Sequence, residues 1–223
     1  GLFRPSTRMW YLDYDNNGQS DFRVIWGDST DIPVAGDWDG DGKDEIGLFR
    51  PSTRMWYLDY DNNGQSDFRV AWGDSTDIPV TGDWDGDGKD EIGLFRPSTR
   101  MWYLDYDNNG QSDFRVTWGD STDIPVTGDW DEDGKDEIGL FRPSTRMWYL
   151  DNDNNGQSDF RVTWGDSTDI PVTGDWDGDS KDEIGLFRPS TARWYLDYDN
   201  NGASNYQVTW GASTDKPITG YWN

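Results

Sequence analysis

The chain has no cysteine and no histidine. Without cysteine no disulfide can staple it, and thiol usage says nothing of its compartment. Without histidine it lacks the commonest general base and the commonest transition-metal ligand. Basic residues are few: 19 Lys and Arg stand against 44 Asp and Glu, for a net charge of −25. Such a chain repels phosphates, so nucleic acid is not an expected partner. No apolar run approaches the roughly 20 residues that a membrane-spanning helix needs, and no membrane insertion is expected. No stretch shows the 3.6-residue period of a helix.

What is present is a repeat. Gly1-Leu2-Phe3-Arg4-Pro5-Ser6-Thr7 returns at Gly47, Gly93, Gly139 and Gly185, a period of 46 residues. The units are 1–46, 47–92, 93–138, 139–184 and a shorter fifth, 185–223, and they are expected to form one domain. A fixed period of this length signals a propeller, solenoid or array. All 15 Trp fall at three places in the unit, Trp10, Trp26 and Trp38 in the first. Large rings at strictly periodic positions read as core rather than as a sugar-stacking surface. Tyr14 is replaced by Asn152 in the fourth unit; a position that takes either residue is expected to be exposed.

Each unit offers four short strand patterns. In the second they are Ile78-Pro79-Val80 (A), Gly93-Leu94-Phe95-Arg96 (B), Met101-Trp102-Tyr103-Leu104 (C) and Phe114-Arg115-Val116-Thr117-Trp118 (D), the last alternating with period two. Pro97-Ser98-Thr99 marks a turn between B and C. Four short antiparallel strands per repeat predict an all-β, five-bladed β-propeller. The proline in strand A makes that strand a sheet edge, as the channel-lining strand of a propeller is. The sequence opens on a strand B and closes on a strand A, so residues 217–220 are expected to pair with residues 1–4 and close the ring. An open array cut from a longer chain is the alternative.

Two loops per unit carry oxygen ligands in one frame. The first type, between A and B, has Asp37, Asp39, Asp41 and Glu45 at positions 1, 3, 5 and 9, with Gly42 at the bend and the carbonyl of Lys43 available at position 7. It recurs as Asp83, Asp85, Asp87, Lys89 and Glu91, as Asp129, Asp131, Asp133, Lys135 and Glu137, and as Asp175, Asp177, Asp179, Lys181 and Glu183. The second type, between C and D, has Asp13, Asp15, Asn17, Gln19 and Asp21. It returns as Asp59, Asp61, Asn63, Gln65 and Asp67, as Asp105, Asp107, Asn109, Gln111 and Asp113, and as Asp151, Asp153, Asn155, Gln157 and Asp159. In the fifth unit Asn205 replaces the last Asp and leaves Asp197 and Asp199 as a weaker version. Calcium takes six to eight hard oxygens, and glycine allows the sharp bend that turns positions 1, 3 and 5 inward together. The loop is not an EF-hand, because position 12 is Leu48 rather than Glu. Asp, Asn and Gly also make ordinary turns. Two loop types in frame, eight times over, favour calcium, up to two ions per repeat. First-type loops, richer in carboxylates, should bind the tighter, with the loop holding Ser180 the weakest of them.

The stretch Asp37-Trp38-Asp39-Gly40-Asp41-Gly42-Lys43-Asp44-Glu45-Ile46-Gly47-Leu48-Phe49-Arg50-Pro51-Ser52 resembles the FG-GAP/VCBS-type repeat of extracellular β-propellers, related to the integrin α-subunit head, and the match covers every unit. The resemblance implies a calcium-stapled propeller of a secreted or surface protein, used for adhesion, display or glycan binding. This chain departs from that pattern in two ways: it has a second calcium-like loop in each unit, and five units where integrin heads have seven.

In an antiparallel A-B-C-D blade both loop types emerge at one end. The opposite end carries the B–C turns, with Arg8, Arg54, Arg100 and Arg146, and the D–A loops, with Ser29, Ser75, Ser121 and Ser167. These are the candidate partner-binding residues, for glycans or surface proteins. No residue stands apart from the repeat as an active site would, so the expected function is an extracellular binding module and not an enzyme. The alternative is a building block that self-associates into a surface layer or filament.

Overall fold

The structure, a computed structural model, describes residues 1–222. Its strands in the first unit are β1 (Leu2–Arg4), β2 (Met9–Leu12) and β3 (Phe22–Ile25). The next set is β4 (Ile32–Gly36), β5 (Glu45–Arg50), β6 (Met55–Leu58) and β7 (Phe68–Ala71). The third set is β8 (Ile78–Gly82), β9 (Glu91–Arg96), β10 (Met101–Leu104) and β11 (Phe114–Thr117). The fourth is β12 (Ile124–Gly128), β13 (Glu137–Arg142), β14 (Met147–Leu150) and β15 (Phe160–Thr163). The last are β16 (Ile170–Gly174), β17 (Glu183–Arg188), β18 (Arg193–Leu196), β19 (Tyr206–Thr209) and β20 (Lys216–Pro217).

They form five four-stranded antiparallel sheets, β4-β5-β6-β7 and its equivalents, with β20-β1-β2-β3 as the blade that joins the two ends. The protein is a five-bladed β-propeller. Register is constant from blade to blade: Pro33 faces Leu48, Gly47 faces Leu58 and Leu58 faces Phe68. Closure uses fewer residues than expected. Leu2 pairs with Pro217 and Phe3 with Lys216, and the Ile218 N–H donates to the Gly1 carbonyl at 3.0 Å. The strand expected over 217–220 is therefore 216–217. Its ladder ends where β1 does, and Tyr221 turns its backbone to Asp44 instead.

Burial explains the sequence pattern of each strand. Strand B is sandwiched between blades, so β5 is buried at Glu45 through Phe49 and reads as a continuous apolar run rather than an alternating one. Strand D is outermost, and β7 alternates half-buried with exposed residues. The core lies between blades. Trp38, Phe49, Trp56 and Leu58 of one blade pack with Ile92 and Leu94 of the next. Leu2 with Val172, Phe187 and Trp194 closes the same contact between the last blade and the first. Gly47 is glycine because Trp38 lies on it: a Cβ there would meet Val34 Cγ2 at 2.8 Å and Trp38 Cζ2 at 3.0 Å.

The Trp positions follow the expectation in two places of three. Trp10 and Trp38 are buried, while Trp26 and its equivalents are half-buried, each beside the core ring of its own blade. Tyr14, Tyr60 and Tyr106 depart from the expected exposure. They are half-buried and pack against the core clusters, and Asn152 keeps the same intermediate burial. The loop backbone, not side-chain chemistry, sets that depth, so the position accepts both residues.

The inner strands carry a side-chain ladder. Thr81 Oγ1 donates to the Ala35 carbonyl, Thr127 Oγ1 to that of Thr81, and Thr173 Oγ1 to that of Thr127, each at 2.7 Å. These bonds link neighbouring A strands around the axis. A central cavity of about 200 Å³ is lined by the Pro-Val-Thr segments of those strands.

Candidate metal centres

Both loop types emerge from one end of the ring. In the first type the carboxylates are held by the loop's own backbone. Asp37 Oδ1 accepts from the N–H of Gly40 (2.7 Å) and Asp41 (3.1 Å), and Oδ2 accepts from Gly42 (2.7 Å). Asp39 Oδ1 accepts from Asp41 (3.1 Å), and Asp41 Oδ1 accepts from Lys43 (3.0 Å). Asp37, Asp39 and Asp41 thereby bring oxygens within 4.8 Å of one another, as do Asp83, Asp85 and Glu91.

The closing glutamate comes from the first residue of strand B and is buried. Its Oε2 accepts the N–H of Trp176 in the fourth loop at 3.1 Å, of Trp130 in the third at 3.2 Å and of Trp38 in the first at 3.4 Å. In the second loop Glu91 is 3% exposed, and its Oε2 faces the Trp84 N–H without a hydrogen bond of ordinary length. A buried carboxylate oxygen so placed beside other carboxylates fits a cation. Burial, and then repulsion from the loop aspartates, pushes Glu45 up to about 8 and Glu91 up to about 9. Burial likewise raises Glu137 to about 9 and Glu183 to about 8.

The second type is built alike. Asp13 Oδ2 accepts from Gly18 (2.7 Å), Asp13 Oδ1 and Asp15 Oδ1 accept from Asn17 (both 3.2 Å), and Asp21 Oδ2 accepts from Tyr14 (2.8 Å). Asp59, Asp105 and Asp151 are raised to about 6, chiefly by burial. Asn205 takes over the Tyr198 N–H at 3.0 Å, which preserves the turn and removes the charge. Eight groups of at least three acidic side chains on the described residues could hold a metal. The donors are hard oxygens with carboxylates dominant, a set suited to calcium.

Four features are absent from the sequence reading. Asp44, Asp90, Asp136 and Asp182, at position 8 of the first-type loops, reach the preceding blade. The Asp90 N–H donates to the Asp37 carbonyl and the Asp37 N–H to Asp90 Oδ2, both at 2.8 Å. The aspartates face one another around the axis, and burial raises all four, Asp44 to about 6 and Asp182 to about 7. Their signal in the sequence is invariance across all four loops at a position outside the ligand frame. A cleft of about 600 Å³ opens beside them between the fifth and first blades and is lined by Trp194, Trp210 and Tyr206. Asn62 and its equivalents tie the two loops of a blade together. Glu132 holds a positive φ of 67° at position 4 of the third loop, where the others have glycine.

The bend glycines of the two loop types differ. Gly42, Gly88 and Gly134 have φ of 83–85° and open space where a Cβ would lie, and Ser180 takes their place at φ 77°. Gly64 and Gly110 combine φ near 80° with a Cβ position only 2.6 Å from Val24 and Val70 of the preceding blade. Serine is therefore tolerable in one type and not in the other. We expect Ser180→Gly to stabilise the protein by up to about 1 kcal/mol. Gly110→Ser should cost roughly 2 kcal/mol or more, because strain and overpacking add. Urea denaturation in calcium measures both, and equal costs for Gly88→Ser and Gly110→Ser would contradict the assignment.

The opposite face is organised by ion pairs. Arg50 Nε and Nη2 donate to Asp31 Oδ1 and Oδ2, both at 2.8 Å, and Nη2 lies 2.8 Å from Asp28. Its guanidinium carbon also lies over the Tyr57 ring at 4.9 Å. The fork repeats at Arg96, Arg142 and Arg188, and as Arg4 with Asp215. Arg69, Arg115 and their equivalents bond a serine or stack on a tyrosine. The arginines left without a side-chain partner among the described residues are Arg8, Arg54, Arg100 and Arg146, all exposed. Each sits at φ 58–59°, a left-handed conformation unusual for a long side chain. Ser29, Ser75, Ser121 and Ser167 are exposed on the same face.

Charge is divided accordingly. In the second unit the paired Arg50-type and free Arg54-type cations match the two D–A loop aspartates, while the other end carries eight acids against Lys89.

The sequence matches no family model and no curated protein. Among solved structures it is similar to an Agrocybe aegerita lectin described as recognising non-reducing terminal N-acetylglucosamine, with TM-score 0.52 and 12% identity over 91% of this chain and 65% of that one. It is also similar to the biofilm matrix protein Bap1 of V. cholerae, with TM-score 0.41 and 19% identity over 93% of this chain and 35% of that one. A third is BBS1N in complex with ARL6DN, with TM-score 0.48 and 10% identity over 92% and 62%. The chain thus spans less than two thirds of each of these. The lectin likeness is one of fold and goes no further.

Proposed function

We propose that this chain is a calcium-stabilised, extracellular propeller of the FG-GAP/VCBS type that acts as a binding module, with its partner on the face away from the metal loops. One observation carries the reading: the eight acidic groups gather at one end of the ring, while the arginines with no partner gather at the other. An unrelieved left-handed backbone at four equivalent exposed arginines is strain held where a surface makes contact. The partner is a glycan, as for the lectin that shares the fold, or an acidic protein surface, which guanidinium groups engage bidentately. We assign no catalytic role, because every carboxylate pair recurs around the ring.

Several equivalent weak contacts gain strength by effective concentration. Arg54→Ala with Arg100→Ala is therefore expected to weaken attachment to a multivalent glycan or acidic surface at least tenfold while leaving calcium uptake intact. Adhesion of the double variant to a glycan array or coated surface measures this. Unchanged adhesion, or loss of adhesion with the loop face blocked, would reject the assigned face.

The second reading is a building block that self-associates. It draws on the open outer strands, where Ile25 is 56% and Phe160 is 41% exposed. Ordered arrays in negative-stain images of the native assembly would favour it.

A further inference from the structure

The two acidic loops of a blade are joined by one side chain. Asn108, at position 4 of a second-type loop, accepts the Ile92 N–H on Oδ1 at 2.8 Å and donates from Nδ2 to the Asp90 carbonyl at 3.3 Å. Ile92 and Asp90 flank Glu91, the closing carboxylate of the first-type loop. The Asp105 N–H, at position 1 of the second loop, donates to the Ile92 carbonyl at 3.2 Å. The chain on either side of Glu91 is thus gripped by the neighbouring loop. The same contacts recur at Asn62 around Glu45, at Asn154 around Glu137 and at Asn200 around Glu183, with 2.8 Å for the accepted bond each time. Among the described residues Asn16 makes no such bond, and it is exposed.

The grip bears on metal because Glu91 itself points to a cation. Its oxygen is within 4.8 Å of those of Asp83 and Asp85, and its Oε2 is buried without a hydrogen bond of ordinary length. We propose that Asn62, Asn108, Asn154 and Asn200 are positioning residues that make the two loops of each blade one coupled metal-binding unit. The inference rests on the metal reading above. Filling the second-type loop fixes Asn108, Asn108 fixes the backbone around Glu91, and the first-type site gains affinity. Linkage makes the gain reciprocal. Asparagine suits the role because it tolerates the left-handed conformation, φ 56° at Asn108, while presenting an acceptor and a donor together.

The test is calcium alone, titrated against a chromogenic chelator that counts sites in the tight class. Asn108→Gly keeps the left-handed backbone and removes the carboxamide; Asn108→Asp, which keeps the acceptor and loses the donor, serves if the glycine variant folds poorly. Either is expected to weaken the first-type and second-type sites of that blade together, about tenfold each, and Asn16→Gly is expected to change nothing. In the parent, Asp107→Asn should remove its own site and weaken that of the first-type loop beside it. In the Asn108→Gly background it should remove only its own. A parent that binds no calcium would sink the metal reading. A parent that binds calcium while Asp107→Asn removes only its own site in both backgrounds, or while Asn108→Gly and Asn108→Asp leave every site tight, would overturn the coupling alone.

Discussion

In excess chelator the melting temperature is expected to fall as pH rises, and in saturating calcium it is expected to rise over the same interval. The closing glutamates set the first slope. In the metal-free fold Glu45 and Glu183 titrate near 8, and Glu91 and Glu137 near 9, whereas an unfolded glutamate titrates at 4.5. Between those values the folded chain holds protons that the unfolded chain has released. Stability then falls with pH, fully present below 4.5 and lost by about 9. The axial aspartates, also raised, add to the same slope. Calcium is expected to reverse it. A metal bound by these carboxylates would displace the protons, so binding would strengthen as proton competition fades, and mass action would carry that gain into folding stability. Eight divalent ions would offset sixteen units of the net charge of −25. The chelated protein should therefore also be the larger in X-ray scattering, through self-repulsion. Thermal melts at pH 5, 7 and 9, with and without chelator, measure the crossing. Parallel curves would show that no metal holds these loops.

The repeat, the four strands per unit and both ligand frames are legible in the sequence because each is local. Period-two alternation in Phe68–Ala71, the proline of Ile78–Gly82 and the 1-3-5-9 spacing of acids all lie within ten residues. What escapes the reading is contact between units. Asp90 meets Asp37 across 53 positions, and no spacing rule connects them. Asn108 looks like one more polar turn residue until the neighbouring loop is seen to hang from it. Strand B gives no alternation because a blade covers each of its faces, so Glu45 is buried although it is charged. The expected exposure of Tyr14 fails for a related reason: tolerance of Asn152 speaks of the loop surface, not of the face that packs inward.

Arg96 and Arg100 lie four residues apart on one turn, and their replacement should move stability in opposite directions. Arg96 forks onto Asp77, which is 0% exposed and also holds the Asp74 N–H at 2.8 Å. Arg96→Ala would leave that carboxylate buried without its cation, at a cost of about 3 kcal/mol. Removing both partners together, as Arg96→Met with Asp77→Ala, should cost less than the single change, since no orphaned charge remains. Arg100 is exposed, has no side-chain partner among the described residues and sits at φ 59°. Arg100→Gly relieves the left-handed strain and is expected to stabilise by up to about 1 kcal/mol, while Arg100→Ala should stay within about 0.5 kcal/mol of the parent. Urea denaturation in calcium resolves the three. A stability gain in Arg100→Gly together with weakened adhesion is the result that separates the roles: the repeat then carries a destabilising arginine on each turn for the sake of contact, and a stabilising one beside it to hold the face in place. If Arg100→Gly destabilises, the arginine has a structural partner and the contact role falls to another residue of the face.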